Sequence, residues 1–228
     1  MSDTKGIVFL DLDGPILECR DRHYACYLEL CRRFGVRARK RESYWQLRRR
    51  RTSAAELVRD AGASVEENAI RSAWIDLIEE PRFLRLDFVH PLVIETLAAW
   101  KMYGLRLLVV TLRRNEAAAR AQLRRLRVLE LLDAAIVCDP HLGGAGKAAA
   151  AKAWAGEYGA SRRVWIGDTE ADATAGTILG AELYLVSCGI RSAAYLRSLA
   201  AGRVVRDLPS LRRRIASSPR IVGIPRHR

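Results

Sequence analysis

The chain has 228 residues, 50% hydrophobic and 29% charged. That balance supports a packed core plus a small accessory domain and excludes an intrinsically disordered chain. No apolar run approaches the ~18 residues that span a bilayer, and MSDTKGIVFL lacks the basic n-region and small-residue cleavage site of a signal peptide. The net charge of +13 comes from 34 arginines and five lysines against 26 acidic residues. Beside the many alanines it reads equally as compositional bias and as a field attracting anionic substrates.

Residues 6–10 (GIVFL) are apolar and β-branched and end at DLDGP, the pattern of a short buried strand. Tyr24, Tyr27, Leu28, Cys31 and Phe34 then keep a helical period that Gly35 closes. Two further helices are predicted over 53–61 and 66–79, with Ser53 and Ser64 as N-caps. The run Arg48–Arg51 reads as a solvated helical face. After Pro91 strands alternate with helices. LVIETLAAWKMYG is a helix closed by Gly104, LRLLVV a strand reaching Thr111, 115–126 a helix and AAIVC a strand. A helix over 147–158, the strand VWIG, a helix near 171–179, the strand ELYLVS, a helix around 191–200, the strand RVVRD and the helix LPSLRRRI complete the series.

Alternating strands and helices predict an α/β fold, a Rossmann-like doubly wound parallel sheet covered on both faces. The domains are expected as a core of residues 1–15 and 86–228 and an inserted small α-helical cap of 16–85, with 217–228 as a loosely held basic tail. Paired linkers near Pro15–Glu18 and Phe83–His90 permit a hinged lid. Five cysteines (Cys19, Cys26, Cys31, Cys138, Cys188), odd in number and without a C-x-x-C pair, predict free thiols in a reducing cytoplasm. No histidine sits at zinc-ligand spacing from them.

In an open parallel sheet ligands bind beyond the carboxyl ends of the strands, and four polar signals fall there. Asp11 and Asp13 follow the first strand at i and i+2, two like charges that ask for a cation such as Mg²⁺ between them; a D-x-D-G turn is the plain structural alternative. Thr111 ends the next core strand, where a hydroxyl and free N–H groups suit phosphate oxygens or a helix cap. Lys147, in GGAGK, offers an ammonium beside glycines. It is not a P-loop lysine, because His141 and Ala148 stand where Gly and Ser/Thr are required. Asp168 and Asp172, in GDTEAD, lie four residues apart and reach one centre if a helix has begun; N-capping and helix-dipole roles are the alternatives.

In this order and at these strand ends, DLDGP, VVT, Lys147 and GDTEAD resemble the four motifs of the haloacid-dehalogenase superfamily of phosphohydrolases. The likeness covers the whole core, and the insert after the first motif is similar to the cap of the phosphoglycolate-phosphatase-like branch. The resemblance implies Asp11 as nucleophile and Asp13 as general acid and then base. It implies Mg²⁺ on Asp11, Asp168 and the backbone carbonyl of Asp13. Thr111, Leu112, Arg113 and Lys147 would meet the phosphoryl group or substrate, with Asp172 orienting Lys147 or metal-bound water. Because Asp13 is present, the likeness favours a phosphate ester over a halide. Pro15 departs from the usual Thr or Val and removes a backbone donor.

The implied activity is Mg²⁺-dependent hydrolysis of a small phosphorylated metabolite through an aspartyl-phosphate. Arg113 is placed to meet an anion, and His23, Tyr44, Trp45 and Arg48–Arg51 are candidates for the entrance. A phosphomutase is one alternative. A phosphonatase is another; it would need a cap lysine, and only Lys40 lies there. A non-catalytic phosphate-ligand binder and a nucleic-acid end phosphatase are the others. No nucleic-acid signature is present, so neither nucleic acid nor a membrane is expected as a partner.

Overall fold

The computed structural model describes residues 6–156, 162–199 and 201–217. Strand β1 (Gly6–Leu10) leads to β2 (Leu17–Glu18) and to helices α1 (Arg20–Arg33), α2 (Arg41–Arg49), α3 (Ala54–Asp60), α4 (Glu67–Ile78) and α5 (Pro81–Leu84). Strand β3 (Phe88–Val89) returns the chain to α6 (Val93–Met102), β4 (Leu105–Leu112), α7 (Glu116–Arg125) and β5 (Ala134–Cys138). There follow α8 (Gly143–Ala155), β6 (Arg163–Gly167), α9 (Glu170–Ile178), β7 (Glu182–Val186), α10 (Ala193–Ser198), β8 (Arg203–Val205) and α11 (Arg212–Ala216).

The main sheet is parallel, in the order β5-β4-β1-β6-β7-β8. β1 lies inside it, with Val8 opposite Leu107 on one side and Val164 on the other. Its side chains alternate between two cores, as strand geometry demands. Val8 and Leu10 join Leu97 and Trp100 of α6, Leu123 of α7 and Ile215 of α11. Ile7 and Phe9 face the opposite layer with Ala148 and Ala151 of α8 and Ala175 of α9. Burial on both faces explains why GIVFL is apolar throughout rather than alternating.

Helices α1–α5 hold a separate core of Cys26, Tyr27, Leu30, Tyr44, Trp45, Leu57, Val58, Ile70 and Leu77. The two chain crossings between this bundle and the sheet run side by side, because β2 and β3 pair antiparallel through Leu17–Val89 and Glu18–Phe88.

Several expectations are corrected. Helix α2 is absent from the sequence reading, since its buried face is only Tyr44, Trp45 and Arg48, too short and too charged to show an apolar period. The N-cap position of helix α4 is Glu66, which makes no side-chain capping bond, rather than Ser64. Helix α8 begins at Gly143, not 147, so the glycines of GGAGK are helical. The reason is close packing: a Cβ on Gly144 would overlap Ala171 O and Thr174 of α9. The Arg48–Arg51 run is not a uniformly solvated face. Arg48 is buried over the Trp74 ring, and Arg49 donates to Ser187 O at 2.7 Å. Residues 218–228 of the expected tail lie outside the described residues. Among the described residues no helix is long and apolar enough to cross a membrane.

Candidate active site

β1 connects onward to β4 on one side, whereas β6 connects to β7 on the other. The crevice of such a sheet opens where those directions diverge, at the carboxyl ends of β1 and β6. Asp11 and Asp168 follow those two strands directly. Asp11 N donates to Ile166 O at 2.9 Å, continuing the ladder one residue past β1.

A lysine bridges Asp11 and Asp172 of α9. Lys147 reaches inward from the second turn of α8, fully buried, with Nζ 3.1 Å from Asp11 Oδ1 and 2.5 Å from Asp172 Oδ1. The Trp165 ring lies 5.7 Å beneath the ammonium and its Nε1 donates to Asp172 Oδ1 at 3.3 Å. Asp172 Oδ2 accepts from Asp168 N, Thr169 N and Thr169 Oγ1 at 3.2, 3.1 and 2.7 Å. Both oxygens of Asp172 are thus engaged by donors, and its carboxylate holds Lys147 and the start of α9 in place.

Asp168 is differently placed. It is wholly buried; Oδ2 accepts from Ile190 N at 2.5 Å, while Oδ1 has no hydrogen-bond partner. Gly14 (φ +97°) lets the loop after β1 run against this carboxyl group, where any Cβ would overlap it. Burial, Asp11 and Asp172 raise the Asp168 carboxyl well above its ordinary value. Burial and Asp172 likewise push Asp11 up to about 7, against the pull of Lys147. Lys147 is held protonated by Asp11 and Asp172 in spite of its burial. Oxygens of Asp11, Asp168 and Asp172 lie within 4.8 Å of one another, and one ammonium leaves that group two charges short of neutral. An orphaned buried carboxylate oxygen beside a negative, all-oxygen donor set fits a hard divalent cation.

Asp13 has arginine partners. Its Oδ1 lies 2.7 Å from Nη2 of both Arg22 and Arg113. Burial opposes ionisation, yet Arg113 and Arg22 hold the group well below the carboxylate range. Behind them, Asp87 Oδ2 lies 3.2 Å from Arg22 Nε and accepts from Gln122 Nε2 at 2.7 Å. Arg22, Asp87, Arg113 and Gln122 are all buried. Arg22, Asp87 and Gln122 escaped sequence reasoning. One signal was there: Arg22 shares the buried stripe of α1 with Cys26 and Leu30, and a charge on such a stripe requires a partner.

The remaining predicted residues distribute as follows. Thr111 is buried on β4 and Leu112 half-buried beside Cys138 of β5. Arg113 is buried against Asp13 rather than open at the mouth. Arg114 N and Asn115 N donate to Glu79, just past α4, at 2.9 Å, tying the helical insert to the sheet edge. His23, Tyr44 and Trp45 are buried within the insert, so they do not line an open entrance. Lys40 is exposed ahead of α2.

Sheet order, carboxylates following β1 and β6, and a buried lysine paired with Asp11 and Asp172 define a doubly wound α/β protein with an aspartate-centred site. The chain belongs to the haloacid dehalogenase-like hydrolase family, which matches residues 5–180. Among curated proteins none matches it. Solved structures share the fold at low identity. A predicted phosphatase from Clostridium acetobutylicum superposes at a TM-score of 0.72 with 17% identity, over 93% of this chain and 98% of that one. A predicted phosphoglycolate phosphatase from Haemophilus somnus gives 0.69 and 16%, over 92% and 97%. A Thermotoga maritima protein described as a candidate beta-phosphoglucomutase gives 0.64 and 15%, over 92% and 97%.

Proposed function

We propose that this protein is a Mg²⁺-dependent phosphatase that transfers the phosphoryl group of a small phosphorylated metabolite to Asp11 and then to water. The observation that carries the reading is the Asp11–Lys147–Asp172 arrangement beside the orphaned Asp168 oxygen. Asp11 would attack phosphorus through the carboxylate that Lys147 orients. Lys147 and Thr111 would bind the phosphoryl oxygens, with the backbone N–H of Leu112 nearby; that of Arg113 donates to Cys138 O at 3.0 Å. Asp13 would hand a proton to the departing alkoxide and later take one from water, each time binding that proton against Arg113 and Arg22, which favour its ionised form. Asp11, Asp168 and the backbone carbonyl of Asp13 would hold Mg²⁺, which when bound supplies positive charge to the phosphoryl oxygens. Asp172 would keep Lys147 aimed. Covalent transfer divides one difficult hydrolysis into two steps, and buried cations stabilise the charge spread over the transferring group.

The test is phosphate release from p-nitrophenyl phosphate and a panel of phosphorylated metabolites, phosphoglycolate among them, with Mg²⁺ and an Asp11→Asn control. Turnover by the wild type, lost in that variant, supports the reading; no turnover above the control sinks it in favour of a phosphate-ligand binder. A phosphomutase is the second reading, favoured by the shared fold of the Thermotoga maritima protein. It would show as phosphoryl transfer between sugar hydroxyls without net phosphate release.

A further inference from the structure

Two guanidiniums approach a single oxygen of Asp13, and they come from different parts of the molecule. Arg22 belongs to α1 of the helical insert, and Arg113 stands directly after β4 of the sheet. Each is buried, each contact measures 2.7 Å, and both fall on Oδ1. For both arginines Oδ1, not Oδ2, is the nearer oxygen. A carboxylate gripped at one oxygen from two directions loses rotation about its Cβ–Cγ bond, so the other oxygen keeps one bearing. The arginines are themselves held. Arg22 Nε lies 3.2 Å from Asp87 Oδ2; Gln122 donates to that oxygen at 2.7 Å and to Leu84 O at 3.2 Å, and accepts from Arg113 Nη2 at 3.5 Å. Only Arg113 Nη2 makes a hydrogen bond to Asp13; Arg22 Nε and Nη2 and Arg113 Nε and Nη1 are buried without one, so Arg22 acts on Asp13 as a close charge. Burying two arginines costs several kcal/mol per ion, and a plain hinge contact needs no such assembly.

We propose that Arg22 and Arg113 are positioning residues that hold Asp13 Oδ1 so that Oδ2 faces the water attacking the phosphorylated Asp11, with Asp87 and Gln122 keeping the two arginines in register. The inference rests on the phosphatase reading above. In the step concerned, the water oxygen bonds to phosphorus while its proton passes to Asp13 Oδ2. The phosphorus–oxygen bond to Asp11 breaks, returning Asp11 as a carboxylate and releasing phosphate. Because Arg22 comes from the insert, Oδ2 is aimed only while the insert is seated on the sheet.

p-Nitrophenyl phosphate separates this step from the first, since p-nitrophenolate departs without a proton donor. Rapid-mixing kinetics on Arg113→Met and Asp87→Asn should show a burst of about one p-nitrophenol per enzyme. Steady-state turnover should then fall by roughly 10²-fold, the usual worth of a placed acid–base group. Intact mass should show a phosphoryl adduct on Asp11, and Arg113→Lys should restore part of the steady rate. Equal slowing of both phases, with no adduct, would mean a merely structural role and overturn the proposal. A raised KM at unchanged kcat would make the arginines substrate ligands and overturn it too. Asp87→Asn is close to isosteric, so it remains informative if Arg113→Met does not fold. Asp13→Asn is the control: if it accumulates no adduct, the proton-acceptor role fails, whereas turnover by Asp11→Asn sinks the phosphatase reading itself.

Discussion

Asp11 and Asp168 end adjacent strands, and the geometry that brings them together also makes the metal-free centre electrostatically costly. The Asp11 carboxyl, moved from 3.8 to about 7 by burial and Asp172, binds its proton more tightly in the folded chain than in the unfolded one. Burial raises Asp168 and Asp87 in the same direction, Asp87 to about 6. A raised acid contributes stability below its unfolded value and loses it as pH climbs through the folded one. Metal-free protein should therefore lose on the order of a few kcal/mol between about pH 4 and pH 7. Asp13 and its arginines act the opposite way, but only at more acid pH. Mg²⁺ should restore stability, with a larger rise in Tm at pH 8 than at pH 6; a rise that is larger at pH 6 would contradict the assignment. Lys147→Met should unfold at lower denaturant, by roughly 3–5 kcal/mol for a broken buried pair. It should also lose at least ~10²-fold in kcat, as removal of one electrostatic donor does elsewhere.

At the scale of elements, the loop after β1 and the start of α9 are built around Asp168. Gly14→Ala places a Cβ on the Asp168 carboxyl at a left-handed φ. The expected cost is about 1–3 kcal/mol, together with weaker Mg²⁺ protection in a thermal melt. Ser53→Ala makes a useful contrast. It removes the capping box of α3 and should cost ~1 kcal/mol while Mg²⁺ protection and kcat stay as in the wild type. The core elements were legible because β1, β4, β6 and β7 are short apolar runs closed by polar residues. Asp11, Asp13, Thr111 and Asp168 stood out by falling at or just past their ends, and Lys147 by its GGAGK context. Helix α2 was not legible, since an arginine supplies part of its buried face. That Arg22 and Arg113 meet on Asp13 was not legible either, although Arg113 stood out as an anion contact. Arg22 and Arg113 lie 91 positions apart, as 113 less 22, in a chain with 34 arginines, and nothing in the spacing distinguishes them from the rest.

At the scale of the whole molecule, the +13 charge is divided between solvent-facing arginines and a buried set that works locally. Arg49 ties the insert to Ser187 O, Arg191 donates to Arg48 O at 3.2 Å, and Glu79 receives Arg114 N. The Arg49 and Arg191 guanidiniums and the Arg114 backbone N–H therefore hold the insert on the sheet. Oligonucleotide binding measured by fluorescence anisotropy should be weak and gone by ~0.2 M salt; tight binding that survives would favour the nucleic-acid end phosphatase.

By itself the sequence determined the alternation of strand and helix and the carboxylates and lysine of the centre, because burial on both faces and strand-end placement leave local signatures. The tertiary structure alone decided that Asp172 serves Lys147, that Asp168 keeps an open oxygen, and that Asp13 is held by Arg22 and Arg113. Those facts depend on which distant side chains meet in a dry crevice, and charge pairing across that distance leaves no period in the chain.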